Sequence, residues 1–533
     1  MRVVAPAWLK RHRTLTRNSI SSICLQFREL ASNGQTACDN VGRLEPNMKL
    51  LHLLLLVAAP AAAADLTGNW LAQITAPDGN LRKTYYDLKQ EGGKITGFLR
   101  SNSFDRPLEG MVDDSGNVTL TSGFPGTNRP PMKTTGKLQP DGLHLAVQMR
   151  GDMPPTDVVA TKVAAAEGLP PARIEPPALH KVASNGLAKT PPMGWNSWNK
   201  FAGRVTAEDV KGIADAMASN GMKDAGYLYV NIDDTWEAGR DANGQIQTNK
   251  KFPDMKGLAD YVHSKGLKIG IYSSPGPATC AGYEGSYGHE EQDAKTFAAW
   301  GIDYLKYDWC GAARIYKDAD MQAVYQKMGD ALLASGRPIL YSLCQYGRQD
   351  VWKWGADVGG NAWRTTGDIR DAWDSMQKIG FSQNDHDQSA FAAPGHWNDP
   401  DMLEIGNGGM TADEYKTHMS LWSLLAAPLL AGNDLRSATP ETLAILTNRE
   451  VIAIDQDPLG KQATRLLKNG DQEIWAKNLA DGSKAYGLFN LGAETAQMKL
   501  PAGKQVRDLW QKKDVAGKEI TVPPHGVALL KVK

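Results

Sequence analysis

At 533 residues the chain is too long for one compact core, which predicts two to four domains. Its 59 basic and 59 acidic residues leave a formal net charge of zero, so no charge imbalance draws it to nucleic acid or to an acidic membrane surface. With 42% hydrophobic and 22% charged residues the composition is that of an ordinary globular protein.

The amino end carries a processing signal. Met48-Lys49 opens an apolar run, Leu50 to Val57, that leads into Ala61-Ala62-Ala63-Ala64 and Asp65. This reads as a signal peptide over residues 48–64, with Asp65 the mature start. The run is too short to span a bilayer. A signal peptide should begin a protein, so residues 1–47 read as a non-native upstream extension and Met48 as the true start. The rival reading is a basic targeting segment containing Arg11, Arg13, Arg17 and Arg28. A signal peptide implies a secreted or periplasmic protein with no membrane attachment after cleavage. Of the five cysteines, Cys280, Cys310 and Cys344 follow residue 64; one pair with a free thiol, or three buried thiols, both fit that number.

Residues 65–163 read as a small all-β domain. Alternating runs such as Tyr85–Leu88, Lys94–Leu99, Val118–Thr121 and Leu143–Val147 are separated by Gly- and Asp-containing turns. No cluster of His, Cys or carboxylates marks a site there. Residues 164–186 are Ala- and Pro-rich and read as a linker.

From residue 187 to 456 strands alternate with amphipathic helices, the pattern of βα units on a parallel sheet. Strands are expected at Met193–Trp195, Tyr227–Ile232, Leu267–Tyr272, Tyr304–Tyr307, Ile339–Leu343, Trp363–Thr366, Trp397–Leu403 and Leu424–Leu430, with helices such as Ala207–Ser219 and Thr411–Leu421 between them. Eight units over this span suit one (β/α)8 TIM barrel. A doubly wound sheet would want a glycine-rich turn after its first strand, and none stands there. Residues 457–533 revert to short strands with hairpin turns at Asn469-Gly470 and Asp481-Gly482, an antiparallel β-sandwich domain. The fold class is therefore α/β: a TIM barrel flanked by two all-β domains.

Each barrel strand ends in polar or aromatic residues: Trp198, Asp233 with Asp234, Tyr272, Lys306 with Asp308, Gln345, Arg364 with Asp368, and Asp401. A barrel gathers such residues at one mouth. Asp308 and Asp368, each isolated at a strand end, suit glycoside hydrolysis, which needs two carboxyl groups in unlike environments. The nucleophile should stay ionised, helped by Lys306 or Arg364; the acid should be the less solvated of the two. Fifteen tryptophans add flat faces suited to sugar C–H groups, although most are expected in cores.

From Leu187 to Gln462 the chain resembles the α-galactosidase / α-N-acetylgalactosaminidase family, glycoside hydrolase family 27. The resemblance is carried by Asn231-Ile232-Asp233-Asp234-Thr235-Trp236, Gly270-Ile271-Tyr272, Thr279-Cys280-Ala281-Gly282, Leu305 to Cys310, Trp397-Asn398-Asp399-Pro400-Asp401-Met402-Leu403, and Ala427-Pro428-Leu429 with Asn433-Asp434-Leu435-Arg436. It implies a retaining double displacement with Asp308 as nucleophile and Asp368 as acid/base. It further implies that Asp233 and Asp234 bind the 4- and 6-hydroxyls of galactose, Lys306 the 3- and 4-hydroxyls and Arg364 the 2-hydroxyl. Tyr272 would contact the nucleophile, Trp198 would form a pocket face, and Asp401 would also bind substrate. Cys280 and Cys310 match a family disulfide. The cysteine that pairs with Cys344 in relatives falls at Ala362, which implies a free thiol at Cys344. Gln345 stands where many members have Glu, in the region that sorts 2-hydroxyl from 2-acetamido sugars.

The expected partner is thus a galactose-containing oligo- or polysaccharide, with no nucleic acid, cofactor or metal; the oligomeric state is not indicated. The lone His289-Glu290-Glu291 lacks the second His of a zinc helix, and Asp399 and Asp401 lack further clustered oxygens. The alternatives on the same scaffold are a β-L-arabinopyranosidase or an α-N-acetylgalactosaminidase. Outside catalysis the alternative is a carbohydrate-binding protein, against which the retention of both carboxylates argues.

Overall fold

The computed structural model of the chain describes residues 65–75, 79–123, 130–148 and 154–533. The expected signal peptide and the extension before it lie outside these residues.

Eight short parallel strands form the centre: Met193–Asn196, Tyr229–Asn231, Lys268–Ser273, Tyr304–Asp308, Leu340–Cys344, Ala362–Arg364, Trp397–Asp399 and Leu429–Ala431. The first seven pair in chain order and the eighth pairs with the first, so the sheet curls. The seventh and eighth meet through a parallel bridge between Leu403 and Ala431, where the Leu403 N–H donates to Leu430 O at 2.8 Å. Val230, Ile269, Ile271, Leu305, Tyr307 and Leu343 are buried, as strands covered on both faces require. Register sets the strand ends level: Tyr272 lies beside Lys306, and Asp308 beside Cys344.

The eighth strand differs from the expectation. Leu424 and Leu425 belong to the helix Ala412–Leu425, and the strand is only Leu429–Ala431. That helix is buried on most of its circumference, so its apolar run carries no period that separates helix from strand. Ala426 closes it with φ 51°, and Pro428 then favours extended backbone before it. Three further helices follow the short strands, Trp373–Phe381, Pro440–Leu446 and Arg449–Asp455, the last two capped by Thr439 and Asn448.

Before this sheet, eight antiparallel strands run from Gly68–Thr75 to Thr156–Val163, each paired with its successor and the first with the last. Alternate residues, among them Trp70, Tyr86, Leu88, Ile95, Leu99, Leu120 and Leu145, fill the interior. Asn80 Nδ2 donates to Glu237 O at 2.8 Å, Arg82 Nη2 to Tyr283 Oη at 3.1 Å, and Arg314 pairs with Asp105 at 2.8 Å. The Pro-rich stretch after these strands is not a free tether. Tyr287 Oη donates to Ala172 O at 2.6 Å, the His180 N–H to Gln326 Oε1 at 2.8 Å and the Val182 N–H to Asp357 O at 2.8 Å, which straps it along the helical layer.

After the parallel sheet come a six-stranded antiparallel sheet and a two-stranded one, sharing a core of Leu488, Met498, Val522, Ala528, Leu530 and Val532. Phe381 packs edge-on against Trp475, so this β layer is seated on the helix that follows the sixth parallel strand.

Candidate active site

The carboxyl ends of the parallel strands open into a cavity of about 710 Å³. Trp198, Asp233, Asp234, Tyr272, Lys306, Asp308, Arg364, Asp368 and Asp401 all line it. The backbone there is bent out of ordinary conformations. Thr235, Tyr346 and Asp401 have φ of 85°, 64° and 93°, a region that side chains with a Cβ rarely adopt and that surrounding structure must enforce.

The second strand ends in Asp233 and Asp234. Asp233 Oδ2 accepts from Asn196 Nδ2 at 2.9 Å and from Lys306 Nζ at 2.8 Å, and its N–H donates to Ser197 Oγ at 2.9 Å. Burial opposes the charge on Lys306, yet Asp233 foremost and Asp308 hold the ammonium well above its usual range. Asp234 Oδ2 accepts from the Ala281 N–H at 2.8 Å. Burial pushes its carboxyl up to about 7, against that hydrogen bond. Asp234 Oδ1 is buried with no hydrogen-bond partner among the described residues.

Asp308 ends the fourth strand and is 4% exposed. Burial pushes its pKa up to about 6, restrained by the Lys306 charge and by a hydrogen bond from Tyr346. That bond, from Tyr346 Oη to Asp308 Oδ1 at 2.7 Å, was not foreseen. Tyr272, expected on the nucleophile, lines the same cavity, and its buried hydroxyl has no hydrogen-bond partner among the described residues. Gln345 also departs from expectation. It is fully buried and is not among the cavity-lining residues; its Oε1 accepts from the Gly347 N–H at 2.9 Å. The chain turns through left-handed Tyr346 and Gly347, and a Cβ on Gly347 would lie 2.1 Å from Thr365 O. This turn brings Tyr346, not Gln345, into the cavity wall. The Tyr-Gly pair after the strand was the available signal.

Arg364 ends the sixth strand and is buried, with Nη2 2.9 Å from Asp401 and 3.2 Å from Asp368. Asp401 also accepts from the Ile369 N–H at 2.8 Å and the Met402 N–H at 2.9 Å. The Asp368 side chain is 65% exposed. Glu404, Asn199 and Asn407, which the sequence reading passed over, line the same cavity.

Cys280 and Cys310 form a disulfide beside Asp308, and among the described residues Cys344 is a free, buried cysteine. Cys280, Cys310 and Asp308 bring ligand-type atoms within 4.8 Å, but the two sulfurs are bonded to each other and offer no thiolates to a cation.

The profile of a family described as alpha galactosidase A matches residues 190–457, and that of the alpha galactosidase C-terminal beta sandwich domain matches residues 469–532. A relative named alpha-galactosidase A, from Cellvibrio japonicus, is 46% identical over 379 residues, covering 65% of this chain and 92% of that protein. The crystal structure of alpha-galactosidase I from Mortierella vinacea is 40% identical with a TM-score of 0.62, over 66% of this chain and 98% of that one. A solved structure from Bacteroides fragilis, 32% identical with a TM-score of 0.64, extends over 88% of this chain and 95% of its own.

Proposed function

The chain belongs to the alpha galactosidase A family, and from that premise we propose that it removes terminal α-linked galactose from oligo- or polysaccharides with retention of configuration. The observation that carries this reading is the approach of Asp308 and Asp368 to one cavity that also holds Asp233, Asp234 and Lys306.

In this mechanism the Asp308 carboxylate attacks the anomeric carbon from the face opposite the leaving group. Asp368 gives its proton to the glycosidic oxygen as that bond breaks, and a galactosyl ester of Asp308 forms. Asp368, now a carboxylate, takes a proton from water; the water attacks the anomeric carbon, releasing α-galactose and restoring both carboxyl groups. Lys306 and Tyr346 favour the ionised Asp308 that the first step needs. The exposed Asp368 must begin protonated. A sugar seated against it would displace its water and place the glycosidic oxygen within reach of its proton.

Asp233 and Asp234 are assigned to the 4- and 6-hydroxyls, Lys306 to the 3- and 4-hydroxyls, and Arg364 with Asp401 to the side of the 2-hydroxyl. Trp198 and Tyr272 form walls. The carboxyl pair at the second strand favours galactose over arabinopyranose, which lacks the CH2OH arm. We assign the reaction to a (β/α)8 barrel over residues 187–456, with residues 65–163 as an accessory all-β domain, 164–186 as a strap and 457–533 as the carboxyl β domain. Secretion or periplasmic export rests on the Met48–Ala64 sequence; among the described residues no helix is long and apolar enough to cross a membrane.

The test is hydrolysis of p-nitrophenyl α-galactoside followed by proton NMR. The first-formed sugar should be the α anomer. No turnover, or β-galactose as the first product, removes the reading.

A further inference from the structure

The shore of the cavity next to Asp368 carries side chains that this mechanism leaves without a task. A general acid must lie within hydrogen-bond reach of the oxygen it protonates, so the leaving group has to sit against the Asp368 loop. That loop continues into Arg370 and Asp371, which line the cavity too. Two further segments complete this shore: the short helix carrying Asn199 after the first parallel strand, and the loop with Glu404 and Asn407 after the seventh. The loops are tied together, because Asp371 accepts from the Gly409 N–H at 2.5 Å and from Tyr415 Oη at 3.0 Å.

Glu404 is 2% exposed although it lines the cavity. Asn199 Nδ2 donates to its Oε1, and Asn407 Nδ2 donates to its Oε2 at 2.6 Å. One amide thus holds each oxygen and fixes the plane of the carboxyl group. Burial lifts the pKa to about 7 against the pull of both amides. Each oxygen keeps a second acceptor position. Asn407 Oδ1 is a further acceptor, buried and without a partner among the described residues. A neutral hydroxyl can use such a group in either protonation state, donating to the carboxylate or accepting from the acid. An aryl or alkyl leaving group offers nothing to it and leaves buried polar atoms unmatched.

We propose that Glu404, set in place by Asn199 and Asn407, recognises a hydroxyl of the sugar that departs with the glycosidic oxygen, and so biases the site toward galactosyl oligosaccharides. This rests on the α-galactoside reading above and adds the identity of the leaving-group side.

The experiment compares kcat/KM for melibiose and for p-nitrophenyl α-galactoside in wild type, Glu404→Gln and Asn199→Ala. The expected result is a fall of about tenfold in the melibiose-to-aryl ratio in both variants, with unchanged inhibition by free galactose. Galactose inhibition also shows that each variant is folded. A ratio that moves by less than about threefold in both variants, even where the two rates drop together, overturns the proposal and leaves Glu404 as a brace between loops. A wild type that hydrolyses neither substrate overturns the α-galactoside reading itself, which the two-substrate ratio distinguishes from failure at Glu404.

Discussion

Asp308 and Asp368 face one cavity from unlike settings. Asp308 lies at a strand end, nearly sealed from water, with Tyr346 on one oxygen and the Lys306 charge close by. Asp368 stands on a loop, mostly solvated, with Arg364 2.9 Å from Asp401 but 3.2 Å from it. This is the reverse of an acid drier than the nucleophile. The protein itself sets the protonation of Asp308, through burial opposed by a cation and a phenol, whereas the Asp368 side chain is left open to whatever enters the cavity. On the proposed mechanism, a strand end carries the atom that forms the covalent bond and a loop carries the group that gives and regains a proton.

The sharpest way to break this contrast is at the attacking atom. Asp308→Asn should lower kcat on p-nitrophenyl α-galactoside by a factor on the order of 10⁴ or more, with far-ultraviolet circular dichroism unchanged. Near-full activity would remove Asp308 from its role. Asp368→Asn should lose on the order of 10²–10⁴ on melibiose and less on the aryl substrate, whose phenolate departs with little protonation. An equal loss on both would mean that Asp368 does more than protonate the leaving oxygen.

The buried wall should then show itself in stability. Lys306→Met leaves Asp233 buried without its cation, and thermal unfolding should register a loss of about 3–5 kcal/mol. Removal of the exposed Arg370–Asp374 contact, 72% and 76% exposed, should leave the melting temperature within error. The smallest effect concerns pH. The acid limb of kcat/KM should fall near pH 6, where Asp308 in the free protein gains its proton and can no longer attack. The Tyr346 hydrogen bond favours the ionised form, so Tyr346→Phe should move that limb to higher pH. A shift to lower pH, or none, would mean that another group governs the limb.

The strand-end residues were legible because a parallel barrel delivers every strand's carboxyl end to the same face, whatever the distance along the chain. Asp233, Asp308 and Arg364 needed only their place after an apolar run. Gln345 misled because position after a strand does not say which of two successive residues faces the cavity. The left-handed Tyr346-Gly347 turn made that choice, by packing Gly347 where Thr365 O leaves no room for a Cβ. The eighth strand slipped because Leu424 and Leu425 sit in a helix buried on most of its circumference. Glu404 was passed over because a glutamate beside an apolar run looks like any solvated carboxylate until Asn199 and Asn407 are seen to enclose it.

Local order in the chain determined the alternation of strands and helices, the β character of both flanking regions and the carboxylates at the strand ends. Each of these follows from side-chain periodicity and backbone preference within a few residues. The burial that lifts Asp308 and Asp234, the phenol that reaches Asp308 and the Asn199 half of the amide clasp on Glu404 depend on partners tens to hundreds of residues away. Desolvation and hydrogen bonding act through space at a few ångströms, so only the folded arrangement could decide them.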